Sequence, residues 1–508
     1  MMKKSGFYAN QTKPVGYLAL IERLGLKVIP NWHHSFMTER SHLEIHSVGG
    51  TTETFYPTRY WPGNSLGDHL EFALKYDGTN LSLLNAIFRA VPKIEMEVYI
   101  ASKQHGKYVR RLWFLYEMLT GTRLDINDLP AGGYVNLLEP DEYFTTFPSR
   151  PVRRQRINDN LLGDRRFCPI VRRTEFLKRC ENNDLAERCR NIVANYPAQL
   201  LKRAVGYLYA KETKSSFEIE RIEPNATHTE RFVSLLQSAT SEDYCNKSRL
   251  IGLQNHIVDP RFRDLDYRNT QNYVGESVYW QRERVHYVSP KPNDLPELME
   301  GLIASHQRMN QSTVHPVIHA AVVSYGFVFL HPFEDGNGRI HRFLIHNILA
   351  RREFTPKGMI FPVSAAMLRN GDDYALSLET FSRPLMEHVD YQLDEEGRMT
   401  VEHETASLYK YVDLTVQTEM LFRFIEQTIE TELVEELTFL ANYDRTKTAI
   451  REIIDMPDRR IDIFIRVCLQ NEGRLSKTKR ESLFDFLSEN EIVRMEEAVC
   501  ASYFPDNN

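Results

Sequence analysis

Leu330-His331-Pro332-Phe333-Glu334-Asp335-Gly336-Asn337-Gly338-Arg339-Ile340-His341-Arg342 is the run on which the fold and the chemistry turn. The segment before it, Val314 to Phe329, is apolar and long enough for a buried helix. After it, Ile340, Leu344 and Ile348 recur every four residues and give a second helix a core-facing stripe. The loop between the two therefore delivers Gly336, Asn337 and Gly338 to a helix N-terminus. Free backbone N–H groups and the positive end of the helix dipole make that position an anion site. Glycine lets the backbone approach a phosphate closely. Arg339 and Arg342, three apart and off the stripe, can clamp phosphate oxygens. Asp335 is a hard oxygen ligand suited to a magnesium ion bridging phosphates. His331, ending the first helix, is the side chain suited to take a proton near neutral pH. A turn explains Asp-Gly-Asn-Gly and packing explains a lone histidine, but neither explains the set. Together they are the parts of a phosphoryl- or nucleotidyl-transfer site.

His331 to Arg342 resembles the signature of the Fic-domain family, HPFxDGNGRxxR, at every specified position. The resemblance implies a protein adenylyltransferase that uses ATP and magnesium to place AMP on a Ser, Thr or Tyr hydroxyl of a target protein, itself included. His331 would be the general base and Asp335 the magnesium ligand. Gly336, Asn337 and Gly338 would cradle phosphates, and Arg339 and Arg342 would neutralise the outer ones. Relatives with a degenerate loop transfer phosphoryl or phosphocholine groups, and the intact Gly-Asn-Gly-Arg favours AMP.

The flanks carry the same resemblance. Arg282 to Pro290 looks like the family's β-hairpin flap, and Arg268-Asn269-Thr270-Gln271-Asn272-Tyr273-Val274-Gly275 resembles the strand leading into it. Tyr374 falls where the family contacts adenosine, whereas a helix tyrosine half in the core fits the same position. Ser216-Phe217-Glu218-Ile219-Glu220-Arg221 is similar to the family's inhibitory helix near residues 213–221, Ser/Thr-x-x-x-Glu-Gly/Asn, except that Arg221 replaces Gly or Asn. By that resemblance Glu220 would pair with Arg342 and occupy the γ-phosphate space. The same glutamate could instead align a water for AMP removal.

The rest of the chain bounds these expectations. At 508 residues, two or three domains are expected. A net charge of -6 argues against a protein that coats nucleic acid. Six scattered cysteines without a CxxC pair predict free thiols in a cytoplasmic protein, and no stretch predicts a membrane span. The arginines from Arg150 to Arg173 read as a solvated face or as internal ties, since aromatics for base stacking are almost absent there. His315 and His319 have the spacing of two metal ligands but lack a third, and read as structural. Residues 1 to about 85 read as irregular, and Arg459 to Phe486 as a helical hairpin, although the same spacing also describes a helix-turn-helix.

The expectation is a mainly α protein. It has an N-terminal, mostly helical region (1–210), a Fic-type helical domain with a β-hairpin flap (211–392), and a C-terminal helical region (393–508), winged-helix or helix-turn-helix-like in one reading. Self-association is left open. A reading of another class is a non-enzymatic regulator that binds nucleic acid through Arg150–Arg173 or the C-terminal helices.

Overall fold

A computed structural model of the chain describes residues 12–279 and 282–504. The chain is mainly helical with small sheets, and it divides into two compact units. The first comprises residues 1–183, 238–352 and 370–422, the second residues 184–237, 353–369 and 423–508. Both are discontinuous in sequence.

The first unit opens with a sheet rather than an irregular stretch. Strands β1 (Thr12–Val15), β2 (His33–Thr38), β3 (Glu44–Val48) and β4 (Thr51–Pro57) lie in the order β1-β2-β4-β3. The β2–β4 pair is parallel and the other two are antiparallel. Three helices follow, Leu81–Ala90, Lys93–Ser102 and Lys107–Thr120, interrupted at Pro92 and Gly106. Asn80 caps the first of them by accepting from the Leu83 N–H at 3.1 Å. Leu84, Ile87, Leu112, Trp113 and Leu115 form the core between them.

The arginine-rich stretch is tied into this unit. Arg154 pairs with Glu117 at 2.9 Å, Arg166 with Asp164 at 2.6 Å and Arg172 with Asp413 at 2.8 Å, while Arg173 pairs with Glu181. Such pairing fastens these four arginines internally, while Arg150, Arg153 and Arg165 are exposed.

Around the signature, the pre-loop helix Pro316–Leu330 is apolar on all sides, as a helix must be when it is buried on all sides. It packs against the helix Leu295–Asn310 and against the post-loop helix Asn337–Arg351. His315 caps the pre-loop helix, its Nδ1 accepting from the Val317 N–H at 3.2 Å. His319 is joined to His306 at 3.0 Å, and His306 to Asp243 at 3.0 Å. Arg352 donates to His319 Nδ1 at 3.2 Å. That donation fixes a proton on His319 Nε2, which His306 Nδ1 then accepts. Burial, with the neighbouring His306 and Arg352, pushes His319 well below its usual range, so it is a neutral link in a structural chain.

In the second unit the helix Ala198–Ile219 packs against Val363–Arg369 and Leu433–Ile453. Glu212 is fully buried and accepts from the Ser364 N–H at 2.9 Å as well as from the Ser364 hydroxyl. The helices Asp458–Leu469 and Glu489–Tyr503 pack on Leu433–Ile453 around Phe464, Cys468, Met495 and Val499. The short helix Lys477–Leu483 between them buries none of its residues. All six cysteines are free. Among the described residues no helix is long and apolar enough to cross a membrane.

Candidate functional site

The pre-loop helix ends at His331, which takes the left-handed conformation at φ 48° and ψ 57°. That reversal is rare for a residue other than glycine and marks a constrained position. Its N–H still closes the helix onto Phe327 O at 3.0 Å. Its side chain curls back, with Nδ1 3.1 Å from Val328 O. A carbonyl can only accept, so Nδ1 carries the proton of the neutral ring. Nε2 is then the basic nitrogen, the tautomer that a general base requires.

The loop is held shut by Asn337. Its Oδ1 accepts from the Phe333 N–H at 3.1 Å, and its Nδ2 donates to Phe333 O at 2.7 Å. With its side chain committed to Phe333, Asn337 offers an anion only its backbone N–H. Gly336 is the N-cap of the post-loop helix at φ 90°. A Cβ there would sit 3.0 Å from Val258 Cγ1, so both the conformation and the space call for glycine. The first-turn N–H groups of this helix, Asn337 and Gly338 among them, have no acceptor within the helix and face the loop.

Asp335 is half exposed; its Oδ1 accepts from Arg339 at 2.8 Å and from the Gly336 N–H at 2.6 Å. Its second oxygen has no hydrogen bond among the described residues and is open to a hard cation. Arg339 is 4% exposed and Arg342 1% exposed, so the post-loop helix buries cations as well as its apolar stripe. Arg339 also donates to Ile257 O at 3.4 Å. No group of three or more His, Cys, Asp or Glu side chains gathers as a metal site among the described residues. A magnesium ion held by one carboxylate, taking its other ligands from phosphate and water, fits that donor set.

Sequence reasoning missed the residues that hold the loop from outside. Gln254, fully buried, donates through Nε2 to Asp264 Oδ2 at 3.1 Å and to Asp335 O at 3.4 Å. Asp264 accepts from the Glu334 N–H at 3.2 Å. Burial raises the Asp264 carboxyl above its usual range, and the charges of Glu334 and Asp335 add to the shift. Tyr374 lies in the helix Gly371–Met386, buried and stacked on His341 with ring centroids 6.3 Å apart. Tyr325 meets the same imidazole edge-on at 4.8 Å.

The flap is a hairpin of two antiparallel strands, Tyr273–Tyr279 and Arg282–Val288, with irregular register after Val274 and Ser277. Tyr287 donates from its hydroxyl to Phe329 O, one of the unpaired carbonyls that end the pre-loop helix.

Ser216 and Glu220 belong to the second unit, at the end of the helix Ala198–Ile219. Ser216 is buried, Glu220 is the C-cap, and Arg221 follows at φ 57°. The Ile222 N–H reaches Phe217 O at 3.1 Å and the Arg221 N–H reaches Glu218 O at 2.9 Å, the paired bonds of a Schellman ending. Its left-handed position is the one where the inhibitory pattern has Gly or Asn. Arg221 departs from the pattern in residue type and keeps its backbone shape.

Residues 244–349 match the Fic/DOC family, so this part of the chain is a Fic/DOC domain. The protein adenylyltransferase Fic of Drosophila melanogaster is 36% identical over 99 residues, 20% of this chain and 18% of the relative. That of Drosophila yakuba is 37% identical over the same length. The chain thus spans under a fifth of the curated relatives it matches. Among solved structures, a Fic family protein from Desulfovibrio desulfuricans is 17% identical with a TM-score of 0.36, covering 66% of this chain and 87% of that one. A Fic domain containing signaling protein from Bacteroides thetaiotaomicron has the same identity and TM-score, with 50% and 96% covered.

Proposed function

We propose that the protein is an adenylyltransferase that moves AMP from ATP to a hydroxyl of a target protein. The observation that carries this reading is His331, whose basic Nε2 is fixed by the Nδ1 bond to Val328 O beside a helix N-terminus built to receive anions. In the proposed reaction Nε2 takes the proton of a Ser, Thr or Tyr hydroxyl. The freed oxygen attacks the α-phosphorus, the bond from that phosphorus to the β-phosphate bridging oxygen breaks, and pyrophosphate leaves. The first-turn N–H groups after Gly336 stabilise charge on the phosphates. Arg339 and Arg342 add positive charge from buried positions in the same helix. Asp335 would hold magnesium, which when bound draws charge from the phosphate oxygens.

We assign Ser216 and Glu220 to self-inhibition. The support is the match to the inhibitory pattern together with the left-handed residue that follows Glu220. The regulator reading loses support from the arginines, since Arg154, Arg166, Arg172 and Arg173 each pair with a carboxylate of this chain.

The test is incorporation of α-labelled ATP into protein with magnesium. His331→Ala is expected to lower transfer by roughly a hundredfold to ten-thousandfold, the range for loss of a general base, with the fold intact. Signal from γ-labelled but not α-labelled ATP would keep the site and change the group transferred. Equal transfer by wild type and His331→Ala would sink the role given to the histidine.

A further inference from the structure

Arg268 has no place in the chemistry described so far, yet it is a buried cation, 4% exposed, next to the reacting loop. A buried charge requires compensation. Here it comes from three backbone carbonyls. Nε donates to His331 O at 2.9 Å, one terminal nitrogen to Thr270 O at 2.6 Å and the other to Pro290 O at 2.5 Å. Thr270 leads into the first strand of the hairpin and Pro290 follows the second. One guanidinium therefore ties both legs of the hairpin to the backbone of the proposed general base.

The neighbouring backbone extends the tie. The Arg268 N–H donates to Pro332 O at 2.8 Å, and Asn272 Nδ2 donates to Phe333 O at 3.1 Å. Three successive loop carbonyls, 331 to 333, thus accept from the root of the hairpin. A positive group at the C-terminal end of the pre-loop helix also complements the helix dipole. Burial lowers the Arg268 pKa to about 10, which leaves it charged at neutral pH.

We propose that Arg268 is a positioning residue that fastens both roots of the hairpin and the His331 backbone into one body, so that the surface offered to a target and the base that deprotonates it keep a fixed spacing. The inference rests on the transferase reading for its functional consequence, and on geometry alone for the fastening. Acceptors that are all main chain fit such a role, because they hold the path of the chain whatever side chains the hairpin carries. A planar fork can span three carbonyls on separate segments; a lysine ammonium is a compact point charge and cannot.

The test is Arg268→Lys in the full chain, which keeps the charge and removes the fork, read by two independent measurements. In the α-label assay, kcat is expected to fall about 10–100-fold, the scale of a misplaced catalytic group, with the KM for ATP within about twofold of wild type. By hydrogen exchange, peptides from the hairpin strands and from loop residues 331–336 are expected to lose protection together, while 317–327 in the pre-loop helix keep theirs. Asn272→Ala, which removes one side-chain tie and leaves the guanidinium, is expected to loosen the same two regions to a smaller degree, and serves if Arg268→Lys does not fold. Wild-type kcat in folded Arg268→Lys, or loosening of one region without the other, would overturn the proposal. No α-label even in wild type, with both regions loosened together by Arg268→Lys, would leave the fastening standing and remove the transferase reading.

Discussion

Replacing Arg221 by glycine should stabilise the protein, although the position adjoins the segment proposed above for self-inhibition. Arg221 holds φ 57° at the left-handed position of a Schellman ending. An L-residue there bears about 1–2 kcal/mol of steric cost that glycine does not. Glycine in turn enlarges the unfolded ensemble, which offsets about 0.4–1 kcal/mol. The arginine side chain is exposed and makes no hydrogen bond or ion pair among the described residues, so its loss costs no contact. The net expectation is a gain of about 0.5–1 kcal/mol, seen by calorimetry as a midpoint rise of roughly 1–4 °C in the transition of the unit that contains it. Arg221→Ala is the control, because it removes the side chain and keeps the Cβ; it should leave the midpoint nearly unchanged. A fall in Arg221→Gly, or an equal rise in Arg221→Ala, would refute the conformational argument.

Two further outcomes are expected. Glu220→Gly should raise auto-modification in the α-label assay, and an unchanged or lower rate would dispose of the self-inhibition reading. His341, fully buried between Tyr325 and Tyr374, has its pKa pushed down by burial to about 3. The unfolded chain takes that proton first as the pH falls, so the stabilisation is fully present above about pH 6.5 and is lost between there and about pH 3. Between pH 7 and 5 wild type should therefore lose about 2 kcal/mol that His341→Leu does not, measured by urea unfolding at both pH values. Parallel losses would mean that His341 titrates normally.

The loop was legible because its chemistry is local. His331, Asp335, Gly336 and Arg339 fall within nine consecutive positions, and flanking helices with strong apolar content announce where the loop must be. The N-terminal sheet was not legible. β2 reads His-His-Ser-Phe-Met-Thr without alternation, and its parallel partner β4 lies a strand further along the chain. Arg268 was visible only as part of a strand-like run, because the carbonyls its guanidinium binds lie up to 63 positions away and carry no side-chain signature. The role of Asn337 was half legible. Its place in the loop could be read, whereas the commitment of its amide to Phe333 needs coordinates.

The interleaving of the two units bears on how the chain is made. Synthesis completes the first unit only when residue 422 has emerged, after two segments of the second have already been produced. Those segments, among them the long helix ending at Ile219, then wait for residues 423–508 to supply Leu433–Ile453, against which that helix packs. Contacts closed over such separations are slow to form. Until the last segment arrives, the apolar face around Leu208 and Phe217 has no complete core of its own, and exposed apolar surface of this kind favours aggregation. No single cut in the gene yields either unit whole, and an expression fragment ending near residue 392 would carry an unfinished part of both.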